Sequence, residues 1–314
     1  MRKNIPPRPI LLSALLIILH AASIAGQDPR PGWQPPKPRK HLTIFAPKPI
    51  SGNNIFKGEA DVWLANAVEN LAAGELRPIR DQVLSDYVSA VGDYLVSQSV
   101  NPKKRFKFIV TDDWSEDAMS IGGGRVYVCL GLLKSLENED ELAGVLAHEI
   151  AHDEFAHAGK TATRQLFWLT RIRKVKTALE VALALQTLSE EFNKHRFVQV
   201  GERLLGFSRF DELEADRAAF YNTYKSGYNP RALADWLKRR ERREQEESGD
   251  ASEYGKEQIR KFFFSTHPPS GQRTAALEWE ANFVKMPPGK SYYSSSTFPE
   301  MKRRAQELIE HPGR

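Results

Sequence analysis

From Leu76 to Leu95 the apolar residues Leu76, Ile79, Val83, Leu84, Tyr87, Val88, Val91, Tyr94 and Leu95 recur at steps of three and four. Side chains at those steps share one face of a helix, so the spacing predicts one long amphipathic helix with a buried stripe. After Asn101-Pro102 the period changes. Phe106 to Thr111, Asp117 to Ile121 and Arg125 to Leu130 are runs broken by Gly122-Gly123-Gly124. Their β-branched and aromatic content predicts strands of a small sheet. The glycines suit either a hairpin turn or an edge on which an extended peptide pairs main chain to main chain, and both readings stay open at this point.

Helical periods then return. Asn138 with Glu141 three residues on reads as a capping box opening a helix whose apolar face is Leu142, Val145, Leu146 and Ile150. Residues 160–207 alternate apolar patches with charges and read as helices covering that element, or as an amphipathic surface for partners or lipid. Ser208 is placed to cap a helix that Gly227 ends, and Asn229-Pro230 to start another with Ala232, Leu233, Trp236 and Leu237 inward. The charge-dense run from Lys238 to Lys256 reads as a solvated helix end and exposed loop without a binding role. Phe262 to Pro269 is an apolar run closed by a proline turn. Arg273 opens a short amphipathic helix through Leu277 and Trp279, and a last helix is expected from Pro299 to Ile309. The fold class is therefore mostly α with a small β-sheet, an α+β domain.

The N-terminus has a different composition. Met1 to Gly26 joins a basic start (Arg2, Lys3, Arg8), an apolar run from Ile10 to Leu19 and a small-residue end, Ser23-Ile24-Ala25. That is the layout of a secretory signal, with cleavage expected after Ala25; an uncleaved N-terminal membrane anchor is the alternative. Gln27 to Pro49 carries seven prolines among basic residues, so residues 26–54 are expected to be an extended, largely disordered linker, and 55–314 the folded domain. The formal net charge of +5 over 314 residues falls to 42 basic against 40 acidic side chains, or +2, once residues 1–25 are removed. No nucleic-acid partner is expected. The single cysteine, Cys129, excludes an intrachain disulfide and reads as a buried small hydrophobe.

The chemistry sits in His148-Glu149-Ile150-Ala151-His152. On a helix, His148 and His152 lie on one face and can reach one cation, with Glu149 beside the open coordination position. A catalytic zinc takes three protein ligands, so a third is required. His157, about 140° around the helix from His152, points away from the metal. Phe155 and Ala158 stand where the longer HExxHxxGxxH pattern wants glycine and histidine, which excludes that layout. Glu212 and Asp216 are four apart and share a face, so one could bind zinc while the other orients an imidazole.

These motifs, HEIAH at 148–152, ELEAD at 212–216 and THPPSGQR at 266–273, with GGRVYVCLGLL, NEDELAGVLAHEIAH and GYNPRALADWL in the same order, resemble the HtpX and CAAX-prenyl-protease family of zinc metallopeptidases. The resemblance spans about Leu76 to Leu277. It implies a zincin-like domain with one zinc held by His148, His152 and Glu212, Glu149 as general base and Asp216 as support for a ligand. It also implies that His267 and Arg273 lie near the active site, stabilising an oxyanion, or, for His267, gating the open metal position. Membrane-embedded members have spanning helices that this chain lacks after the signal, so it resembles a soluble, exported BepA-type branch, here without a helical-repeat domain. Asp117 and Ile121 replace the asparagine and proline frequent in the family before the glycines. The expected function is an exported endopeptidase acting on unfolded or mis-assembled envelope proteins. A zinc-stabilised chaperone-like or binding factor with a closed site is the alternative, and a peptidase in peripheral contact with the membrane a third reading.

Overall fold

Residues 33–39, 47–50, 52–72, 76–170, 206–247, 267, 271–284, 293 and 295–311 are described by a computed structural model. The expected signal, part of the expected linker, and most of the helices anticipated within 160–207 lie outside those residues.

The elements in chain order are α1 (Glu59–Leu71), α2 (Gln82–Gln98), β1 (Lys107–Thr111), β2 (Ala118–Ser120), β3 (Arg125–Cys129), α3 (Leu130–Ser135), α4 (Glu139–Glu154), α5 (His157–Thr170), α6 (Arg209–Ser226), α7 (Ala232–Glu247), α8 (Gly271–Phe283) and α9 (Phe298–Glu310). The α+β expectation holds. The three strands form one sheet in the order β1-β3-β2, with β1 parallel and β2 antiparallel to β3. Successive strand residues face opposite ways. Phe108, Val110, Val126 and Val128 therefore join the main core with α2 and α4, while Ile109, Tyr127 and Cys129 join a second core with Leu64 and Val68 of α1 and Ala162 and Leu166 of α5. With both faces covered, the strands need apolar residues almost throughout.

Two departures from the periodicity have local causes. The stripe beginning at Leu76 is not helical until Gln82, because Pro78 pairs with Thr111 along the edge of β1, Ile79 N–H donates to Val110 O, and Asp81 then caps α2 through Leu84 N–H. Between β2 and β3, Gly122, Gly123 and Gly124 all have positive φ and make the hairpin turn. A side chain at Gly124 would lie 2.2 Å from Arg105 O, so this position requires glycine. Its N–H donates to Asp153 Oδ2 at 2.7 Å, tying the turn to the far end of α4.

Helix α4 is buried on all sides from Glu139 to Asp153, rather than along the one apolar face expected. Its first turn carries three consecutive buried carboxylates, which also oppose the positive end of the helix dipole. Glu139 accepts hydrogen bonds from Trp33 Nε1 (3.0 Å), Tyr87 Oη (2.8 Å), Tyr228 Oη (3.0 Å) and Ser295 N and Oγ. Asp140 accepts from Asn229 N at 2.9 Å and from Tyr293 N. Glu141 takes a two-pronged contact from Arg239 at 2.8 and 2.6 Å. Each acid thus fixes the helix to different parts of the chain.

Those partners correct two expectations. The proline-rich stretch at 33–39 has no regular structure, as its composition demands, yet it is no free tether: Trp33 is buried in the main core, Pro36 O accepts from Tyr94 Oη, and Arg39 Nη1 donates to Tyr228 O at 3.0 Å. One indole with a buried acceptor is enough to dock a segment that has little else to bury. Nor is Lys238 to Lys256 wholly solvated, since Arg239 meets Glu141, Arg240 is buried near Asp117, and Arg243 pairs with Glu116. Residues 248–256 lie outside the described set. In the short amphipathic helix expected through Leu277 and Trp279, Leu277 is buried, while Trp279 is 60% exposed and stacks on Phe283.

Candidate metal centre

Helix α4 carries His148, Glu149 and His152, and α6 crosses it carrying Glu212 and Asp216. Ser208 caps α6 with Asp211 in a reciprocal capping box, and Gly227 ends it in the left-handed conformation. The cap sets where Glu212 falls.

The Nε2 atoms of His148 and His152 are 2.9 Å apart. Glu212 Oε1 is 3.4 Å from His152 Nε2, and Oε2 is 3.6 Å from His148 Nε2. His267 joins them, its Nδ1 2.9 Å from Glu212 Oε1. One donor atom from each of these four buried residues falls within 4.8 Å of the other three. Behind the donors, His148 Nδ1 meets Asp216 Oδ1 at 2.9 Å. Arg273 grips Asp216 through Nε and Nη2, both at 2.7 Å, and reaches Glu212 Oε2 with Nη1 at 2.9 Å. Glu149 lies at the front, its Oε2 accepting from Ser120 N of β2 at 2.7 Å and its Oε1 3.9 Å from His267 Nε2.

All seven residues named from the sequence, His148, Glu149, His152, Glu212, Asp216, His267 and Arg273, therefore meet in one buried cluster. Arg273 faces carboxylates rather than an open position. His157 is not among the donors, as expected, but it does not point away either: α4 ends before it, and its Nδ1 lies 2.9 Å from His152 Nδ1. Phe207, which no motif marked, stacks on the His152 ring with centroids 4.1 Å apart. A lone phenylalanine ahead of a helix cap carries no sequence signal for that role.

The electrostatics fit a cation. The buried carboxylates Glu149, Glu212, Asp216 and Asp117 face the buried guanidiniums Arg273 and Arg240, four negative groups against two positive. Full ionisation leaves two unmatched negative charges, which a low-dielectric interior does not tolerate. Burial alone would raise Glu212, yet His267 and Arg273 beside it hold its carboxyl well below the usual range. Burial likewise opposes protonation of His148, but Asp216 and Glu212 raise it to about 9. Burial and the His148 charge push His152 well below its ordinary value, and burial pushes Glu149 up. Protons thus take up the imbalance, and a dication bound to neutral imidazoles would replace them. Among the described residues His267 Nε2 is buried without a hydrogen-bond partner, a further mark of a site shaped for a ligand atom. Two imidazoles and a carboxylate, with a third imidazole beside them, are suitable donors for a tetrahedral divalent metal.

Comparison with known proteins agrees with this geometry. The chain is 26% identical over 215 residues to a beta-barrel assembly-enhancing protease of Yersinia pestis, covering 68% of this chain and 42% of that protein. It is 27% identical over 167 residues to the protein of the same name from Escherichia coli, covering 51% and 33%. It is 30% identical over 192 residues to the mitochondrial metalloendopeptidase OMA1 of Schizosaccharomyces pombe, covering 61% and 51%. The chain thus spans less than half the length of the two bacterial relatives. The model of peptidase family M48 matches residues 84–281, from α2 through α8 and so across the whole cluster, and the chain belongs to that family.

Proposed function

We propose that this protein is a zinc-dependent endopeptidase, with one zinc held by His148, His152 and Glu212 and with Glu149 as general base. The observation that carries the reading is the convergence of two imidazole Nε2 atoms and one carboxylate on a point beside a second, independently oriented carboxylate. Zinc bound there would lower the pKa of water to about 7 and polarise a peptide carbonyl. Glu149 takes the proton from the attacking water and passes it to the leaving amine. Burial raises its affinity for that proton, and the Ser120 N–H fixes one of its oxygens so that the other faces the site. Asp216 and Arg273 hold His148 and Glu212 in register. Among the described residues β2 ends the sheet, so an extended peptide would pair there through the strand's carbonyls, since the Ala118 and Ser120 N–H groups already donate to Asp117 and Glu149.

Removing the base while keeping its volume is the decisive test. The purified full-length protein should bind one zinc per chain and cleave an unfolded protein such as reduced casein. Glu149→Gln should retain the zinc and lose roughly 10²- to 10⁴-fold in rate. Cleavage at the wild-type rate would overturn the assignment.

His267 favours a second reading of the resting state. As a third imidazole, and so a fourth donor, within reach of the others it could close the site, which a structural zinc centre requires and a catalytic one does not. A protease latent at rest would gain activity in His267→Ala; loss of activity would place His267 at the oxyanion. The names of the bacterial relatives, which refer to β-barrel assembly, support substrates among mis-assembled envelope proteins, and the basic, apolar and small-residue layout of residues 1–26 supports export. No described helix is long and apolar enough to cross a membrane. An intact mass lacking residues 1–25 would establish export with signal cleavage.

A further inference from the structure

We propose that His157 is a positioning residue for the metal: it accepts a hydrogen bond from the outer nitrogen of His152, is fixed in turn by Glu214, and completes a histidine–histidine–carboxylate relay behind the centre. The inference rests on the zinc reading above.

If α4 simply continued, His157 would point elsewhere. Instead Phe155 closes the helix, and Ala156 takes φ 55, the only non-glycine with positive φ among the described residues. A conformation that alanine disfavours persists where the surroundings impose it. The turn brings His157, fully buried at the start of α5, back against α4. Its Nδ1 lies 2.9 Å from His152 Nδ1, and its Nε2 lies 3.0 Å from Glu214 Oε2.

The protons then have one arrangement. His152 presents Nε2 to the cluster, so as a ligand it carries its proton on Nδ1. His157 Nδ1 must accept that proton's hydrogen bond, which leaves the His157 proton on Nε2, where it is donated to Glu214. Glu214 is itself held: Oε1 accepts from Ile50 N, and Lys160 Nζ donates to Ile50 O at 2.9 Å. His148 rests directly on Asp216, whereas His152 reaches its carboxylate through a second ring. Both imidazoles thereby have their outer nitrogens engaged, the arrangement that fixes ring orientation and makes a ligand more basic.

His157, Asp211 and Glu214 have the composition of a second cation site, but most of their donor atoms already have partners. Asp211 Oδ2 accepts from Ser208 N, Ser208 Oγ and Arg164 Nη2, and both His157 nitrogens are engaged. Lys160 and Arg164 already supply positive charge. The group supports the first centre.

The test measures metal binding in the full-length protein. Zinc affinity is read by competition with a chromophoric chelator, and ligand geometry by the visible absorption of the cobalt(II)-substituted protein. His157→Ala should weaken zinc binding about 10- to 100-fold and shift the cobalt bands. His157→Asn, whose amide oxygen can accept from His152 but cannot reach Glu214, should recover most of the loss. Glu214→Gln should show a smaller loss in the same direction, and these two variants carry the test if the alanine variant does not fold. A His157→Ala affinity within twofold of wild type would overturn the relay, as would an asparagine variant as weak as alanine, since the imidazole would then be only packing. Wild-type protein that takes up no zinc would instead refute the metal reading itself.

Discussion

Glu139 is the residue whose loss the structure predicts to be most disruptive away from the metal. Its carboxylate is fully buried and accepts from five donors on four residues, Trp33, Tyr87, Tyr228 and Ser295. Leaving a buried donor unsatisfied costs about 1–3 kcal/mol. Even if Ser295 Oγ turns to Thr297 Oγ1, 2.8 Å away, Glu139→Ala should cost more than about 4 kcal/mol, much of the roughly 5–15 kcal/mol that a domain has. Glu139→Gln is the sharper probe, because its amide must turn an NH₂ toward one pair of donors at a cost of about 2–4 kcal/mol. Urea unfolding of chelator-treated protein keeps metal binding out of the measurement. A double-mutant cycle with Tyr228→Phe should show at least about 1 kcal/mol of coupling, since the phenol has a charged partner only in the wild type. A wild-type urea midpoint in Glu139→Gln, or strictly additive losses in the cycle, would refute the reasoning.

Three further outcomes follow from the packing. Gly92→Ala should destabilise by about 1–2 kcal/mol in urea unfolding, although alanine is the better helix former, because the new methyl would lie 2.4 Å from the Phe108 ring. Ala156→Gly should stabilise by up to about 1 kcal/mol by relieving the positive φ, read as a higher melting temperature of the metal-free protein. Burial raises the Asp140 carboxyl to about 7 despite two backbone donors. Between its unfolded value and pH 7 the folded chain keeps a proton that the unfolded chain has released, so this contribution is complete at low pH and lost as pH rises through about 7. Wild type should therefore lose stability relative to Asp140→Asn between pH 5.5 and 8, and parallel urea profiles would contradict the shift.

Most of the donor set was legible because it is written at helical spacing. HEIAH and ELEAD declare shared faces, and Ser208 and Gly227 mark the ends of the second helix. The strands were legible from their β-branched runs, and Pro78 with Asp81 explains why the first apolar stripe starts with an isolated β-bridge before the helix. Helix α1 was not anticipated, although it lies within the expected domain and Leu64, Ala65 and Val68 have the required steps. What spacing along one helix could not show was any contact made after a break. An unbroken helix would carry His157 away from the metal, whereas the turn at Ala156 leaves it outside the donor set and moves it behind His152. Arg239 and Arg240 looked like solvated charges because their partners, Glu141 and Asp117, lie far away in sequence. A charge dense enough to read as surface is buried when opposite charge is waiting for it.

The acceptor at Glu139 also sets an order of events as the chain folds. Trp33 reaches it across 106 residues and Ser295 across 156. Contacts of that sequence separation form late, since loop closure must precede any gain from them. A nascent chain that had emerged as far as α4 would hold both histidines but lack the C-terminal partner of the helix that carries them. Docking of Trp33 and Ser295 would thus come after the metal-binding helices are made, and would tie the maturation of the site to the arrival of Ser295.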